Sequence, residues 1–184
     1  MNGKPMEKDF KEQAVNAKYD INAFEEIYLN FFDKVYNIVA ARVRNIAEAD
    51  DITEEIFIKI LLRLKEGIDI SSSFKAWVYG VTMHTLQDYW RRSYRNKEDF
   101  IGDTLFATIR DEKQEPENIF ARNEEYAFLF KCLDNLSERE RRIIECKYFL
   151  DMSAKETATI LNISPTNVTI ILTRTIKKLR KHFK

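Results

Sequence analysis

The sequence predicts an all-α protein made of two small helical domains joined by a linker. Glycine and proline are scarce, with 4 and 3 in 184 residues, so the tight turns that many β-hairpins need are missing. Apolar residues make up 45% of the chain, and they recur at the three- and four-residue steps of amphipathic helices. Charged residues make up 33%, which suits helices that each bury one face and expose the other.

The first module is predicted over residues 19–97, after an N-terminal tail at 1–18 that shows no sustained periodicity. One long amphipathic helix runs from Phe24 to Ile46, because apolar residues recur there at helical spacing. A second helix carries Ile52 to Leu64 on its buried face and ends near Gly67, a residue type common just beyond helix ends.

A loop and a third helix complete this module. Residues 67–73 contain glycine and three consecutive serines, which is typical of a loop. Ser72 or Ser73 caps the helix that follows, and that helix runs through Trp77, a predicted core residue, into a basic cluster. The cluster holds Arg91, Arg92, Arg95 and Lys97.

The second module is predicted over residues 122–184, after an acidic linker at 98–121 that we expect to lie against the basic surfaces of the free protein. Its first helix buries Phe128, Leu129, Leu133 and Cys132. Three helix starts then follow. Ser137 with Glu140 and Ser153 with Glu156 fit capping boxes, and Ser164 precedes a proline that suits the first helical position.

The last two predicted helices fit the helix-turn-helix pattern. Ala158 is small where the two helices must approach closely, and Asn162 stands at the turn, where a positive φ is needed. The positions that face inward are apolar: Leu161, Ile163, Val168 and Ile171. A plain helical hairpin is the alternative. The six basic residues from Arg174 to Lys184 favour DNA binding, because cations engage phosphates.

Several classes of protein do not fit this sequence. The longest apolar run is five residues, Tyr126 to Phe130, so no membrane span is expected, and without an export signal we expect a cytoplasmic protein. Two cysteines, Cys132 and Cys146, lack the spacing of a zinc or redox site and are predicted to pack as small apolar residues. No metal or nucleophile motif is present, so we expect no cofactor, no metal and no catalysis.

A resemblance covers about 140 residues of the chain. The chain is similar to the extracytoplasmic-function RNA polymerase sigma factors. Its first module resembles their second region, and its second module resembles their fourth. The segments that carry the resemblance are Phe24–Tyr28, Ala49–Phe57, Phe74–Tyr79, Asp88 with Arg91 and Arg92, and Leu136–Arg141 with the helix-turn-helix that follows. The resemblance implies a transcription initiation factor that binds bacterial RNA polymerase core and directs it to promoters by minus-10 and minus-35 recognition.

The resemblance also implies roles for individual residues. Core polymerase would be bound by Asp51, Glu54, Glu55 and Lys59. A solvated acidic face is the alternative for the three carboxylates, and a magnesium site at the cluster Asp50, Asp51, Glu54 and Glu55 is a less favoured one. Minus-10 DNA would be bound by Ser71, Ser72, Ser73, His84, Arg91, Arg92 and Arg95. Minus-35 DNA would be bound by Thr166, Asn167, Thr169, Ile170, Thr173, Arg174 and Lys177.

The sequence departs from the family pattern in two places. His84 stands where the family usually has asparagine, which changes the hydrogen-bonding geometry offered to a base. Just after Val168, where the family usually has basic residues, the chain has Thr169, Ile170 and Ile171, so arginine contacts to guanine are missing there. We therefore expect an upstream promoter element of A/T character.

The sequence leaves two rival functions open. A stand-alone repressor would bind duplex operator as a dimer without polymerase. A helical adaptor would leave both basic clusters unexplained. An inhibitory anti-sigma partner is common in the family that the chain resembles, and nothing in the sequence shows or excludes one.

Overall fold

The computed structural model describes residues 6–43, 45–67, 70, 73–98 and 130–181. Within these ranges the regular structure is helical and no strand occurs. The helices are α1 (Met6–Asn16), α2 (Ile21–Val43), α3 (Ile46–Glu66), α4 (Phe74–Glu98), α5 (Glu138–Ile144), α6 (Ala154–Leu161) and α7 (Pro165–Arg180). A π-helical turn, Glu145–Phe149, continues α5, and residues 130–134 are also helical.

Local signals determine where α2 and α3 end and begin. The Asn45 side chain accepts a hydrogen bond from the Glu48 backbone N–H at 3.3 Å and so caps α3. Ile46 is therefore the first residue of α3, and its assignment to the preceding helix is wrong. Gly67 ends α3 with φ 79°, as its position in the sequence predicts.

The N-terminal segment contradicts the prediction of a tail over residues 1–18. Residues 6–16 form α1, which packs on α2 and α4. Phe10 and Ala14 are buried, and the Phe10 ring meets the Phe31 ring edge-on with centroids 4.9 Å apart. This aromatic contact holds α1 on the bundle. Among the side chains described in α1 and the turn after it, three apolar ones are buried and two of these are alanines, so the periodicity in the sequence is weak.

One apolar core runs through both halves of the described chain. It joins buried residues of α1 to α4, such as Ile38 and Leu86, to Cys146, Leu150 and Met152 of the second half. A smaller core of Ile143, Ala158 and Val168 lies within the helix-turn-helix. Both cysteines are free and buried, as predicted. The predicted linker, apart from Glu98 at the end of α4, and the predicted core residues Phe128 and Leu129 lie outside the described residues.

Candidate functional site

The helix-turn-helix forms as the sequence predicts. Ser153 caps α6 and Ser164 caps α7, each accepting a hydrogen bond from a backbone N–H at 3.2 Å. Between the two helices Asn162 adopts φ 51°, the left-handed conformation that the turn requires. Ala158 is buried and lets the helices approach closely. Leu161, Ile163 and Ile171 pack against the small core that it shares with Val168.

The outward face of α7 carries the seven residues predicted for minus-35 recognition. All seven are exposed: Thr166, Asn167, Thr169, Ile170, Thr173, Arg174 and Lys177. The hydroxyls of Thr169 and Thr173 donate to backbone carbonyls one turn earlier, at 3.2 and 2.8 Å. Oxygen acceptors, methyl groups and an amide therefore lie on one face with two cations, a set that can contact base edges and phosphates.

Two groups that the sequence analysis assigns to different partners meet in the structure. Arg92, predicted for DNA, pairs with Glu55, predicted for polymerase, at 2.9 Å. Lys59 pairs with the same carboxylate at 2.7 Å. Burial would raise the pKa of Glu55, but the hydrogen bonds and charges of Lys59 and Arg92 lower it below its usual value.

Asp88 lies in one charged pocket with Glu55, Lys59 and Arg92. It pairs with Arg91, and it lies 3.2 Å from Nδ1 of His84, a largely exposed side chain. Desolvation slightly raises the pKa of Asp88, but the hydrogen bond from Arg91 and the charge of His84 outweigh it, so the pKa lies below its usual value. The pocket is lined by Glu55, Lys59, Asp88, Arg91 and Arg92. The backbone of Arg95 continues α4, and its side chain lies outside the described part of the structure, as do Ser71 and Ser72.

A second face of α3 is open and partly apolar. Asp51 and Glu54 are exposed, and one and two turns further on Ile58 and Leu62 are 58% and 55% exposed. These two apolar residues are not among the docking residues predicted from the sequence. Their spacing along the helix could have identified them. They do not share the face of α3 that is buried, which carries Ile52, Ile56, Ile60 and Leu64.

The remaining predicted minus-10 residue, Ser73, contacts the other half of the protein. Its hydroxyl donates to Glu156 of α6 at 2.6 Å. Close by, the ammonium group of Lys75 donates to the backbone carbonyl of Asp151 at 2.8 Å, and Lys34 pairs with the Asp151 carboxylate at 3.1 Å. The start of α4 is thus covered by the segment that leads into the helix-turn-helix.

The centre of this contact is a buried ionic cluster. Glu145 is fully buried, and Arg42 donates to both of its oxygens at 2.8 Å. The Tyr79 hydroxyl donates to the same carboxylate at 2.9 Å. Burial alone would lower the pKa of Arg42, but the hydrogen bonds and charge of Glu145, joined by Glu138, raise it. The pKa of Tyr79 is raised by burial and by the charge of Glu145.

Two sequence families match this chain. Residues 27–98 match the family described as Sigma-70 region 2, and residues 129–179 match Sigma-70, region 4. Among similar proteins, the ECF RNA polymerase sigma factor SigW of Bacillus subtilis is 27% identical, with 91% of this chain and 92% of SigW covered. SigX of the same organism is 24% identical, with 86% and 82% covered.

Solved structures support the same fold. CnrH, in complex with the cytosolic domain of CnrY, superposes with a TM-score of 0.68 at 18% identity, covering 94% of this chain and 96% of CnrH. The sigma factor RpoE of Bartonella quintana, in complex with the anti-sigma factor NepR, has a TM-score of 0.60 at 16% identity, with 87% and 96% covered. Within the described residues, no helix is long and apolar enough to cross a membrane.

Proposed function

Because the chain belongs to the sigma-70 family, as an extracytoplasmic-function RNA polymerase sigma factor that directs the polymerase to promoters, we propose how its two halves divide that work. The α1–α4 bundle docks on polymerase core and captures unpaired minus-10 bases. The helix-turn-helix places α7 in the major groove of the minus-35 element. Sigma factors are non-catalytic initiation factors. We propose that this one acts in the cytoplasm.

The exposed face of α7 supports the proposed binding to the minus-35 element. Its first turns present Asn167, Thr169 and Ile170 without an intervening charge, and Arg174 and Lys177 follow further along the helix. Amide and methyl groups suit an adenine edge and a thymine methyl, whereas the cations suit phosphates. An upstream element of A/T character remains our proposal.

The docking half of the proposal is supported by the open face of α3. Ile58 and Leu62 supply an apolar centre, and Asp51 and Glu54 supply charges that set orientation and association rate. Glu55 and Lys59 are engaged with α4 instead. We therefore propose that they support the docking face from the side and hold Arg92 in place.

The first experiment is a titration of bacterial polymerase core with the full chain, followed by promoter-directed transcription. Asp51→Lys and Glu54→Lys should each weaken core binding by about tenfold, because a reversed charge opposes a complementary surface. Glu12→Lys reverses one exposed charge on α1 and serves as the matched control. Unchanged binding of core by both α3 variants would contradict docking through this face.

The minus-10 half of the proposal places nucleic acid beside α4. Asp88 of the charged pocket contacts two exposed side chains, Arg91 and His84. A base needs polar groups for its edge and cations for its backbone. We also propose that an anti-sigma factor binds this chain, since RpoE of Bartonella quintana was solved with one. Dependence on polymerase distinguishes this function from that of a stand-alone repressor, which would bind its operator without polymerase.

A further inference from the structure

Gly80 lies inside α4, where the fold itself does not require a glycine. Its backbone is helical rather than left-handed, and the residue is exposed. A β-carbon built on it would meet no atom of the described residues within 4 Å. Glycine destabilises the interior of a helix relative to alanine, because it loses more conformational freedom on folding. The bare backbone therefore lowers the stability of α4 without improving its packing.

The missing side chain leaves part of the helix surface uncovered. Side chains on a helix point back toward its N-terminus, so a side chain at position 80 would lie over the preceding turn. That turn carries Trp77, which is half-buried and rests against the Phe74 ring with centroids 5.7 Å apart. His84 lies one turn beyond Gly80 on the same face and is exposed. An aromatic ring, a bare backbone and an imidazole thus follow one another along α4, and we call these three residues, Trp77, Gly80 and His84, the Gly80 site.

Asp88 determines which nitrogen of His84 can meet a ligand. An oxygen of its carboxylate lies 3.2 Å from Nδ1 of the imidazole. An ionised carboxylate only accepts hydrogen bonds, so the neutral imidazole carries its proton on Nδ1 and donates a hydrogen bond from there to Asp88. Nε2 is then the acceptor of the ring. An asparagine at this position would present a donor as well as an acceptor.

The charges around the site suit an anionic strand. The Arg91 side chain is 69% exposed, whereas Asp88, with which it pairs, is 23% exposed. Arg92 and its partner Glu55 are 59% and 33% exposed. Two guanidinium groups therefore lie nearer to solvent than the carboxylates that hold them. A phosphate backbone that runs along this face of α4 would meet the cations first.

We propose that the Gly80 site binds one unpaired base of the minus-10 element and that Nε2 of His84 selects this base. The ring of the base lies over Gly80 against Trp77, which a side chain at position 80 would prevent. An acceptor favours a base with an exocyclic amino group, adenine or cytosine, over thymine, which presents a carbonyl oxygen instead. Asp88 acts as a positioning residue. The inference rests on the proposed capture of unpaired minus-10 bases by the α1–α4 bundle.

The first test fills the site. Gly80→Ala should raise the midpoint of thermal unfolding by roughly 2 °C, because alanine favours the helix. It should also weaken binding of unpaired DNA by the holoenzyme by about tenfold, and Gly80→Leu should weaken it further, because each side chain occupies the position of the base. The probe is a promoter isolated with the parent holoenzyme, duplex at the minus-35 element and single-stranded, with all base combinations, over the minus-10 element. Core binding by each variant, measured by titration, should equal that of the parent.

The base preference tests His84. At one position of the minus-10 element the parent should favour adenine or cytosine over thymine by about fivefold, which sequencing of the bound strands measures. His84→Phe keeps an aromatic ring without the acceptor, so it should lose this preference and retain those at other positions. Arg91→Ala is the matched control. It should weaken binding of all bases alike, because a guanidinium group on phosphate carries no sequence information.

A spectroscopic signature tests the positioning role of Asp88. ¹⁵N NMR of the free chain, labelled at histidine and at a pH where the imidazole is neutral, should show the His84 proton on Nδ1 in the parent and on both nitrogens in Asp88→Asn. His182→Gln removes the chain's other histidine and so assigns the signals. Asp88→Asn should also reduce the base preference at the position that His84→Phe affects. The same tautomer in the parent and in Asp88→Asn would overturn the positioning role.

Equal binding of the single-stranded probe by the parent, Gly80→Ala and Gly80→Leu would overturn the proposed site. A base preference that His84→Phe leaves unchanged at every position would overturn selection by Nε2. Either result, obtained with core binding and promoter-directed transcription intact, leaves the sigma-factor function standing. A parent chain that binds core but captures no unpaired strand would instead contradict the proposed minus-10 function and this inference with it.

Discussion

Asn162 shows how one residue determines the geometry of the DNA-binding unit. Its φ of 51° lies in the left-handed region, where an asparagine is tolerated and a β-branched residue is strained. The N–H of Ile163 then donates to the Ala158 carbonyl at 3.1 Å and closes the end of α6. The angle between α6 and α7 depends on this turn.

Asn162→Val should lower the free energy of unfolding by about 1–2 kcal/mol, because a branched side chain meets the backbone at positive φ. Asn162→Gly should change it by only a few tenths of a kcal/mol, since glycine adopts this conformation without strain. Urea unfolding followed by circular dichroism measures both. If the glycine variant is as unstable as the valine variant, the asparagine side chain rather than the backbone is what matters.

At the scale of an element, α7 combines a capped start with an exposed polar face and a basic end. Ser164 and the proline after it begin the helix, and Val168 and Thr175 are buried under it. The exposed face is therefore held rigidly by the small core beneath it, which favours precise placement in a groove.

Replacing Arg174 and Lys177 by alanine should weaken duplex binding by the holoenzyme and flatten its dependence on salt. The slope of log K against log salt should fall by about one to two units, since each lost phosphate contact releases about one counterion fewer. Lys11→Ala with Lys18→Ala removes two exposed cations from the α1 region and is the matched control. An unchanged slope would mean that α7 does not lie on DNA.

The element α5 carries two carboxylates whose pKa values the structure lowers. Burial would raise the pKa of Glu138, but the charge and hydrogen bond of Arg42, with Arg142, lower it. The hydrogen bond from the backbone N–H of Ser137 is the main cause that lowers the pKa of Glu140, and Lys178 lowers it further. A carboxyl group whose pKa is lowered on folding stabilises the fold above its unfolded pKa and loses that effect as the pH falls through the folded value.

The stability difference between the parent and Glu138→Gln should therefore depend on pH. Near neutral pH we expect the variant to be less stable by about 1 kcal/mol, because the pair with Arg42 is half exposed and partly screened. The difference should shrink as the pH falls below about 4.5, because the carboxyl group of the unfolded chain is protonated first and that of the folded protein, whose pKa is lower, only at lower pH. Urea unfolding from pH 7 to pH 3 measures it. A difference that is constant over this range would contradict an ionised Glu138.

At the scale of the whole molecule, the shared core predicts that both halves unfold together. Trp77 and Trp90, the protein's two tryptophans, both lie in α4, so their fluorescence reports only on the first half. Leu150, in the second half, is fully buried in the shared core. Its contacts transmit stability from one half to the other.

Leu150→Ala should cost about 2–4 kcal/mol and shift the tryptophan transition as much as the circular dichroism transition. Ile143→Ala, in the smaller core, should also shift the fluorescence if the chain unfolds as one unit. Urea unfolding with both probes gives the answer. Two separate transitions, with fluorescence unmoved by either substitution, would show that the halves unfold independently.

Local features of this protein follow from its sequence alone. The capping residues Ser137, Ser153 and Ser164, the left-handed turn at Asn162 and the outward face of α7 all form as predicted, because they depend on residues three to seven positions apart. The family resemblance, which rests on short segments in both halves of the chain, is confirmed. Such interactions form between residues close in sequence, so they do not depend on which distant segments pack nearby.

Only the tertiary structure decided how the two halves meet. Arg42 and Glu145 are 103 residues apart, and Tyr79 and Glu145 are 66 apart, so no local pattern links them. The sequence shows Glu145 as one of 30 acidic residues, and its burial becomes visible only when α2 and α4 bring donors to it. The docking of α1 has the same origin, since the rings of Phe31 and Phe74, far along the chain, hold Phe10 in place.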